Sequence, residues 1–295
     1  MRCSPAASQV EVNRTEIALW EWPGQEPTVL FCHATGFHAR IWDQVVTGFR
    51  ELGLEHRCIA FDARGHGRSS KPAPPYTWRT FGMDVATLAE SLGLTNAIGV
   101  GHSMGGHAVT FGSALRPSAF SGLVLFDPVI RAREEYCGPW RKTQFVAKRR
   151  NQWRSAQEMF KRFENRSPFD SWDRCVLRDY CEHGLAPRSD TPENGNSFVL
   201  ACPPDIEASI YQASTAVESN IYAEIATIQI PVHVIRAGRY RDPADVMRTS
   251  VTPTDLAVKF ARGRDTCLDE HSHFIPMESP RLAAEFIAGA LAQLE

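Results

Sequence analysis

Short apolar runs alternate with amphipathic stretches along the first 130 residues. The runs from Glu16 to Trp22, Thr28 to Cys32, Arg57 to Phe61, Ala97 to Gly101 and Leu123 to Phe126 read as strands. Thr28 to Cys32 is apolar without alternation, the pattern of a strand covered on both faces. Between the runs, Ile41 to Leu52, Phe81 to Leu92 and Met104 to Leu115 repeat apolar positions at helical spacing, and Gly93 stands where the second helix should stop. Pro23-Gly24-Gln25-Glu26-Pro27 reads as a turn. Strands alternating with helices predict an α/β fold with a mostly parallel sheet and helices on both faces.

The rhythm breaks at Arg131. From there to about Tyr222 the pattern loses its short strands and becomes helical, with prolines at 139, 168, 187, 192, 203 and 204. It resumes at Pro231-Val232-His233-Val234-Ile235, followed by a short strand at Thr266 to Leu268 and an amphipathic helix from Arg281 to Leu294. The expected organisation is therefore one core in two parts, residues 1–130 and 226–295, with a helical insertion at 131–225. No internal repeat or low-complexity tract is present.

Composition narrows the function classes. Apolar residues are 43% and charged residues 22%, enough for a sizeable core. Lys+Arg 32 against Asp+Glu 34 leaves a net charge of -2, which argues against a general nucleic-acid binder. No apolar run approaches the roughly 18 residues of a membrane span, and the first nine residues offer no signal-peptide core. The eight cysteines (3, 32, 58, 137, 175, 181, 202, 267) contain no Cys-x-x-Cys pair. Neither a metal cluster, a redox dithiol nor a disulfide framework is expected, and the cytosol is the simplest compartment. Cys32 and Cys58 sit in apolar runs as small buried hydrophobes.

Gly101-His102-Ser103-Met104-Gly105-Gly106 follows one expected strand and opens a helix, the strand–turn–helix setting of a Gly-x-Ser-x-Gly nucleophile elbow. A sharp turn forces Ser103 into a strained conformation, and glycines two before and two after it let strand and helix approach. The N–H of Met104, at the helix start, can face an oxyanion. Phe31-Cys32-His33-Ala34-Thr35-Gly36-Phe37 and Phe61-Asp62-Ala63-Arg64-Gly65-His66-Gly67-Arg68-Ser69 each lie just beyond a strand. His271-Ser272-His273-Phe274-Ile275-Pro276-Met277-Glu278-Ser279-Pro280 lies between the last strand and the last helix.

These fragments, in this order, resemble the α/β-hydrolase fold superfamily over residues 10–129 and 228–294. The resemblance implies a Ser-His-acid triad working without metal or organic cofactor on a small-molecule substrate. Ser103 would be the nucleophile and His273, which precedes Phe274 and a Glu-x-Pro, the base; His271 is the rival and reads as a loop histidine. His33, His66 and His102 flank turns as structural residues. Met104 and Thr35 would supply the oxyanion N–H groups, Thr35 standing where His-Gly-x-Pro of the family reads His33-Ala34-Thr35-Gly36. Two acids compete. Asp127, in Leu125-Phe126-Asp127-Pro128, ends the strand after the nucleophile helix and is preferred; Asp242, in the loop after the strand at 232–235, is the runner-up. Asp62 reads as a turn-stabilising residue.

Between Arg131 and Arg166 stand eleven Lys/Arg and four Asp/Glu, a local charge of +7. Such a run is ordinarily the solvated face of amphipathic helices, and alternatively steers anionic substrates. Trp140, Phe145, Trp153, Phe160 and Phe163 in the same stretch would pack the insertion onto the core or line an apolar pocket. The leading expectation is a serine hydrolase of small or medium carboxylic esters or lactones. Carbon–carbon bond or amide hydrolysis on the same triad is the alternative within enzymes. A non-catalytic ligand-binding protein is the alternative outside them. Dehalogenases and epoxide hydrolases of the superfamily use an Asp nucleophile, against which Ser103 argues.

Overall fold

The computed structural model describes residues 4–141, 143–188, 198–238 and 247–293. The first strands are β1 (Ala6–Val12), β2 (Thr15–Trp22) and β3 (Gln25–Cys32), followed by helix α1 (Asp43–Glu51) and β4 (His56–Phe61). Next come α2 (Trp78–Ser91), β5 (Ala97–His102), α3 (Met104–Leu115) and β6 (Phe120–Phe126). The insertion carries α4 (Gln144–Ala147), β7 (Gln152–Trp153), α5 (Ala156–Phe163), α6 (Arg174–His183), β8 (Leu185–Pro187), β9 (Phe198–Leu200), α7 (Pro204–Ala213) and α8 (Tyr222–Ile225). The chain then returns with β10 (Val232–Ala237), β11 (Gly263–Leu268), α9 (Ile275–Glu278) and α10 (Pro280–Leu291).

Eight strands form one sheet in the order β1-β2-β4-β3-β5-β6-β10-β11. β2 runs antiparallel to both its neighbours, and the strands from β4 to β11 are parallel. The central strand β5 is buried at all its residues, which explains the uncharged run from Ala97 to Gly101. Phe81, Val85 and Leu88 of α2 join Ala108, Val109 and Phe111 of α3 in one apolar layer. Val45, Val46 and Phe49 of α1 join Ala283, Ala284 and Ile287 of α10 in the other.

Three expectations need correction. β1 is a strand that the apolar pattern does not show: five of its seven side chains lie open, so alternation is absent, and pairing with β2 alone defines it. The turn that joins them, Asn13-Arg14, holds both residues at positive φ (47° and 60°), as a two-residue hairpin requires. The expected turn at 23–27 is shorter, because β3 already begins at Gln25. The insertion is not purely helical: β7, β9 and β8 form a small antiparallel sheet. Strands of two or three residues are too short for any periodicity to register.

The insertion leaves the sheet after β6 and rejoins it before β10. Its two ends touch. The Tyr222 hydroxyl donates to the Arg131 carbonyl (3.0 Å), and the Arg133 guanidinium lies 4.5 Å over the Tyr222 ring. Trp153, Met159, Trp172 and Val176 of the insertion are buried in the same apolar layer as α1 and α10. No helix among the described residues is long and apolar enough to cross a membrane.

Candidate active site

Ser103 sits in the turn between β5 and α3 at φ 56° and ψ -119°, a conformation costly for a side chain that bears a Cβ. Its neighbours force that turn. A Cβ on Gly105 would stand 2.1 Å from the Cys32 carbonyl oxygen, and one on Gly101 would stand 2.5 Å from the Gly105 oxygen. The Ser103 N–H donates to the Phe126 carbonyl (3.1 Å), and its own carbonyl accepts from Gly106, His107 and Val129. Backbone on both sides therefore holds the hydroxyl at the carboxyl ends of the strands.

His273 lies between β11 and α9. Its Nδ1 is 2.6 Å from Asp127 Oδ2, and its Nε2 is 3.0 Å from Ser103 Oγ. A carboxylate accepts only, so Nδ1 carries the proton and the Nε2 lone pair faces the serine hydroxyl. The backbone of His273 is pinned at both ends. Its N–H donates to the Arg248 carbonyl (2.9 Å), and its carbonyl accepts from His102 Nε2 (2.8 Å). Burial, with the adjacent His273 ring second, holds His102 well below the usual imidazole range, so it donates as a neutral ring.

Asp127 is completely buried at the end of β6, at φ 41°. A carboxylate taken out of water must be saturated with donors. Here Oδ2 receives His273, while Oδ1 receives the Ala237 N–H (3.0 Å) and the Ser250 hydroxyl (2.6 Å). Its backbone N–H donates to the Ile235 carbonyl of β10 (2.7 Å). Asp242 lies outside the described residues. Asp62 accepts from the backbone N–H groups of Ala39 (2.7 Å) and Arg68 (2.8 Å), tying two turns together. His271 meets Ser279 Oγ (2.9 Å), away from the serine of the elbow.

The turn after β3 is built by two neutral histidines. His33 Nδ1 donates to the Ala34 carbonyl (2.8 Å) and Nε2 accepts from the Ala63 N–H (2.9 Å). His66 Nδ1 donates to the Arg64 carbonyl (3.0 Å) and Nε2 accepts from the Gly36 N–H (3.0 Å). Burial lowers both pKa values, which preserves these accepting nitrogens. The N–H groups of Thr35 and Met104 have no acceptor among the described residues. Thr35 lines the same small chamber as Ser103 and His273, of about 60 Å³, with Arg131, Trp140 and Met247. A larger cleft of about 390 Å³ shares Thr35, Tyr211 and Met247 with that chamber and runs between insertion and core.

The arrangement can thus abstract a proton from a hydroxyl, stabilise the resulting imidazolium and offer two free N–H donors beside it. Sequence reasoning missed Ser250, Arg248 and the backbone of Ala237 as the cradle of this chain. Ser250 reaches Asp127 across 123 residues, and nothing in its own neighbourhood signals that. Among the described residues no group of three or more His, Cys, Asp or Glu is arranged to hold a metal ion.

Comparison with known proteins bears on the family and the fold. The model of the Alpha/beta hydrolase family matches residues 29–286. A non-heme chloroperoxidase of Streptomyces lividans is 40% identical over 96 residues, 32% of this chain and 34% of the relative. A bifunctional esterase/perhydrolase of Acinetobacter calcoaceticus is 34% identical over 113 residues, 38% of this chain and 37% of the relative. The chain therefore spans about a third of the length of the curated relatives it matches. Among solved structures, an E-2-(acetamidomethylene)succinate hydrolase superposes over 98% of this chain and 99% of its own with a TM-score of 0.73 at 19% identity, a likeness of fold.

Proposed function

Because this chain belongs to the alpha/beta hydrolase family, we propose that it is a serine hydrolase that cleaves a carboxylic ester or lactone through an acyl-enzyme on Ser103. Ser103 Oγ attacks the carbonyl while His273 Nε2 takes its proton. Asp127, fixed by Ala237 and Ser250, stabilises the imidazolium and keeps Nδ1 protonated. The Thr35 and Met104 N–H groups receive the oxyanion. His273 then returns the proton to the leaving oxygen, and a water activated by the same nitrogen releases the acid. The chemistry draws on no metal or organic cofactor.

The insertion at 131–225 serves as a lid whose inner wall selects the substrate. The seven described cysteines are all free, which supports a reducing compartment such as the cytosol. The observation that carries the reading is the unbroken chain Ser103–His273–Asp127, with distances of 3.0 and 2.6 Å.

Labelling with a fluorophosphonate probe tests it. Stoichiometric modification of Ser103, with hydrolysis of p-nitrophenyl esters lost in proportion, is expected. An unlabelled protein, or one labelled elsewhere while esterase activity persists, would overturn the mechanism.

A further inference from the structure

The cleft beside the Ser103 chamber is aromatic on most of its walls, yet its lining includes four arginines (149, 150, 162 and 166) and one carboxylate, Glu207. Each inner charge is accounted for. Arg149 Nη1 donates to both oxygens of Glu207 (2.9 and 2.7 Å) and Nη2 reaches the Tyr180 hydroxyl (3.3 Å). Arg150 pairs with Glu158 (2.6 Å) and lies 4.2 Å over the Trp153 ring. Arg162, on α5, and Arg166, four residues later, are different. Both are exposed, and neither side chain has a hydrogen bond or ion pair among the described residues. The nearby acids are taken: Glu158 by Arg150, and Glu164 by Arg174 (3.1 Å). Two like charges stand near one another here, and no acid among the described residues is paired with either.

We propose that Arg162 and Arg166 bind the far end of an anionic substrate, an ester or lactone whose apolar body lies in the cleft and whose distal carboxylate meets the two guanidinium groups. Arginine suits a carboxylate through its planar fork of donors. The aromatic side chains of Phe163, Phe169 and Trp172, which line the same cleft, match an apolar spacer, not a polar one. The basic run of the insertion is then in part a binding wall, beyond a solvated face. This inference rests on the serine hydrolase reading for the position of the scissile bond, but its test does not require turnover.

Binding to the Ser103→Ala protein is measured by calorimetry at low salt, with monomethyl adipate and monomethyl suberate against neutral methyl alkanoates of matched chain length. The monoanions are expected to bind at least about tenfold tighter, the scale of one charge-assisted hydrogen bond. In the Arg162→Gln/Arg166→Gln double variant that ratio should fall to within about twofold of unity. A control, Lys161→Gln, removes a charge outside the cleft lining and should keep the ratio. Equal binding of the two ligand sets overturns the inference. So does an unchanged ratio in the double variant, or an equal loss in the control, which would assign the effect to the general field. If wild-type protein hydrolyses neutral esters while the ratio is unity, the inference falls and the hydrolase reading stands. If the ratio holds and no ester is turned over, the hydrolase reading falls alone.

Discussion

At the Ser103 end of the cavity the reacting groups hang on backbone, whereas the cleft beside it is walled by side chains. Ser103, Asp127 and His273 are each tied by main-chain hydrogen bonds to Phe126, Ile235 and Arg248, and Gly105 admits no side chain at all. The cleft has instead Trp153, Phe163, Phe169 and Trp172, with Phe163 stacked on Phe169 at 4.4 Å and the two tryptophans edge-on to this pair at 5.4 and 4.9 Å, all carried by short elements of the insertion. Backbone geometry tolerates few substitutions; an aromatic wall can be reshaped one ring at a time. The difference separates rate from selectivity: changes at the first end should lower turnover of every substrate, and changes at the second should reorder substrates.

The sharpest way to break this division is at the serine. Ser103→Ala should lower ester turnover by roughly four to six orders of magnitude, equally across substrates, with the thermal midpoint close to that of the parent protein. Retained turnover in the folded variant would remove the first end from the chemistry altogether.

The acid comes next. Asp127→Asn should cost roughly three to four orders in kcat, the scale of a triad acid made neutral. Ser250→Ala removes one of two donors to Oδ1 and should cost only about tenfold, in kcat and not in KM. Steady-state kinetics on one ester would show it, and equal losses would mean that Ser250 holds the whole loop and not merely one oxygen.

Stability should depend on the histidines that build the core end. Burial holds His33, His66 and His102 below their ordinary pKa, and pushes His107, His183 and His233 down to about 4. A group depressed in the folded state takes up its proton first in the unfolded chain. Stability is therefore full above about pH 6.5 and is lost as pH falls below it, until the folded rings titrate near pH 4. The unfolding free energy from urea titrations at pH 7, 6 and 5 should fall steadily, by at least about 2 kcal/mol in all, the value for a single histidine held neutral. A flat profile would show that these rings are hydrated.

The smallest effects belong to the cleft. Trp153→Ala and Phe169→Ala should each change the preferred acyl chain length, shifting kcat/KM ratios by roughly ten-fold or less. An unchanged ranking in both variants would reduce these rings to packing and collapse the comparison.

The same division governs what the sequence reveals. Gly101, Ser103 and Gly105 are legible because backbone contacts of 2.1 to 2.5 Å leave glycine as the only solution, and a constraint that strict leaves a motif. The buried strands are legible because water is excluded from both faces. β1 escapes notice because it faces solvent, and β7, β8 and β9 because they are too short for a period. Ser250 escapes for another reason: a hydroxyl serving a carboxylate far away in sequence has no local pattern. Of the eleven basic residues counted between Arg131 and Arg166, composition does not say which turn inward. Among the described ones, only the cavity walls separate Arg131, Arg149, Arg150, Arg162 and Arg166 from the others.

The hydrogen bond between Tyr222 and the Arg131 carbonyl bears on how such a chain can diversify. Because the insertion departs and returns within one contact, a recombination that exchanged everything between them would have its two junctions side by side. The donor segment would need only ends of matching separation, whatever its length or architecture, since loop closure grows slowly in cost with length. Substrate range can then be rewritten as a cassette, while the codons for the sheet, the elbow and the histidine loop are inherited unchanged.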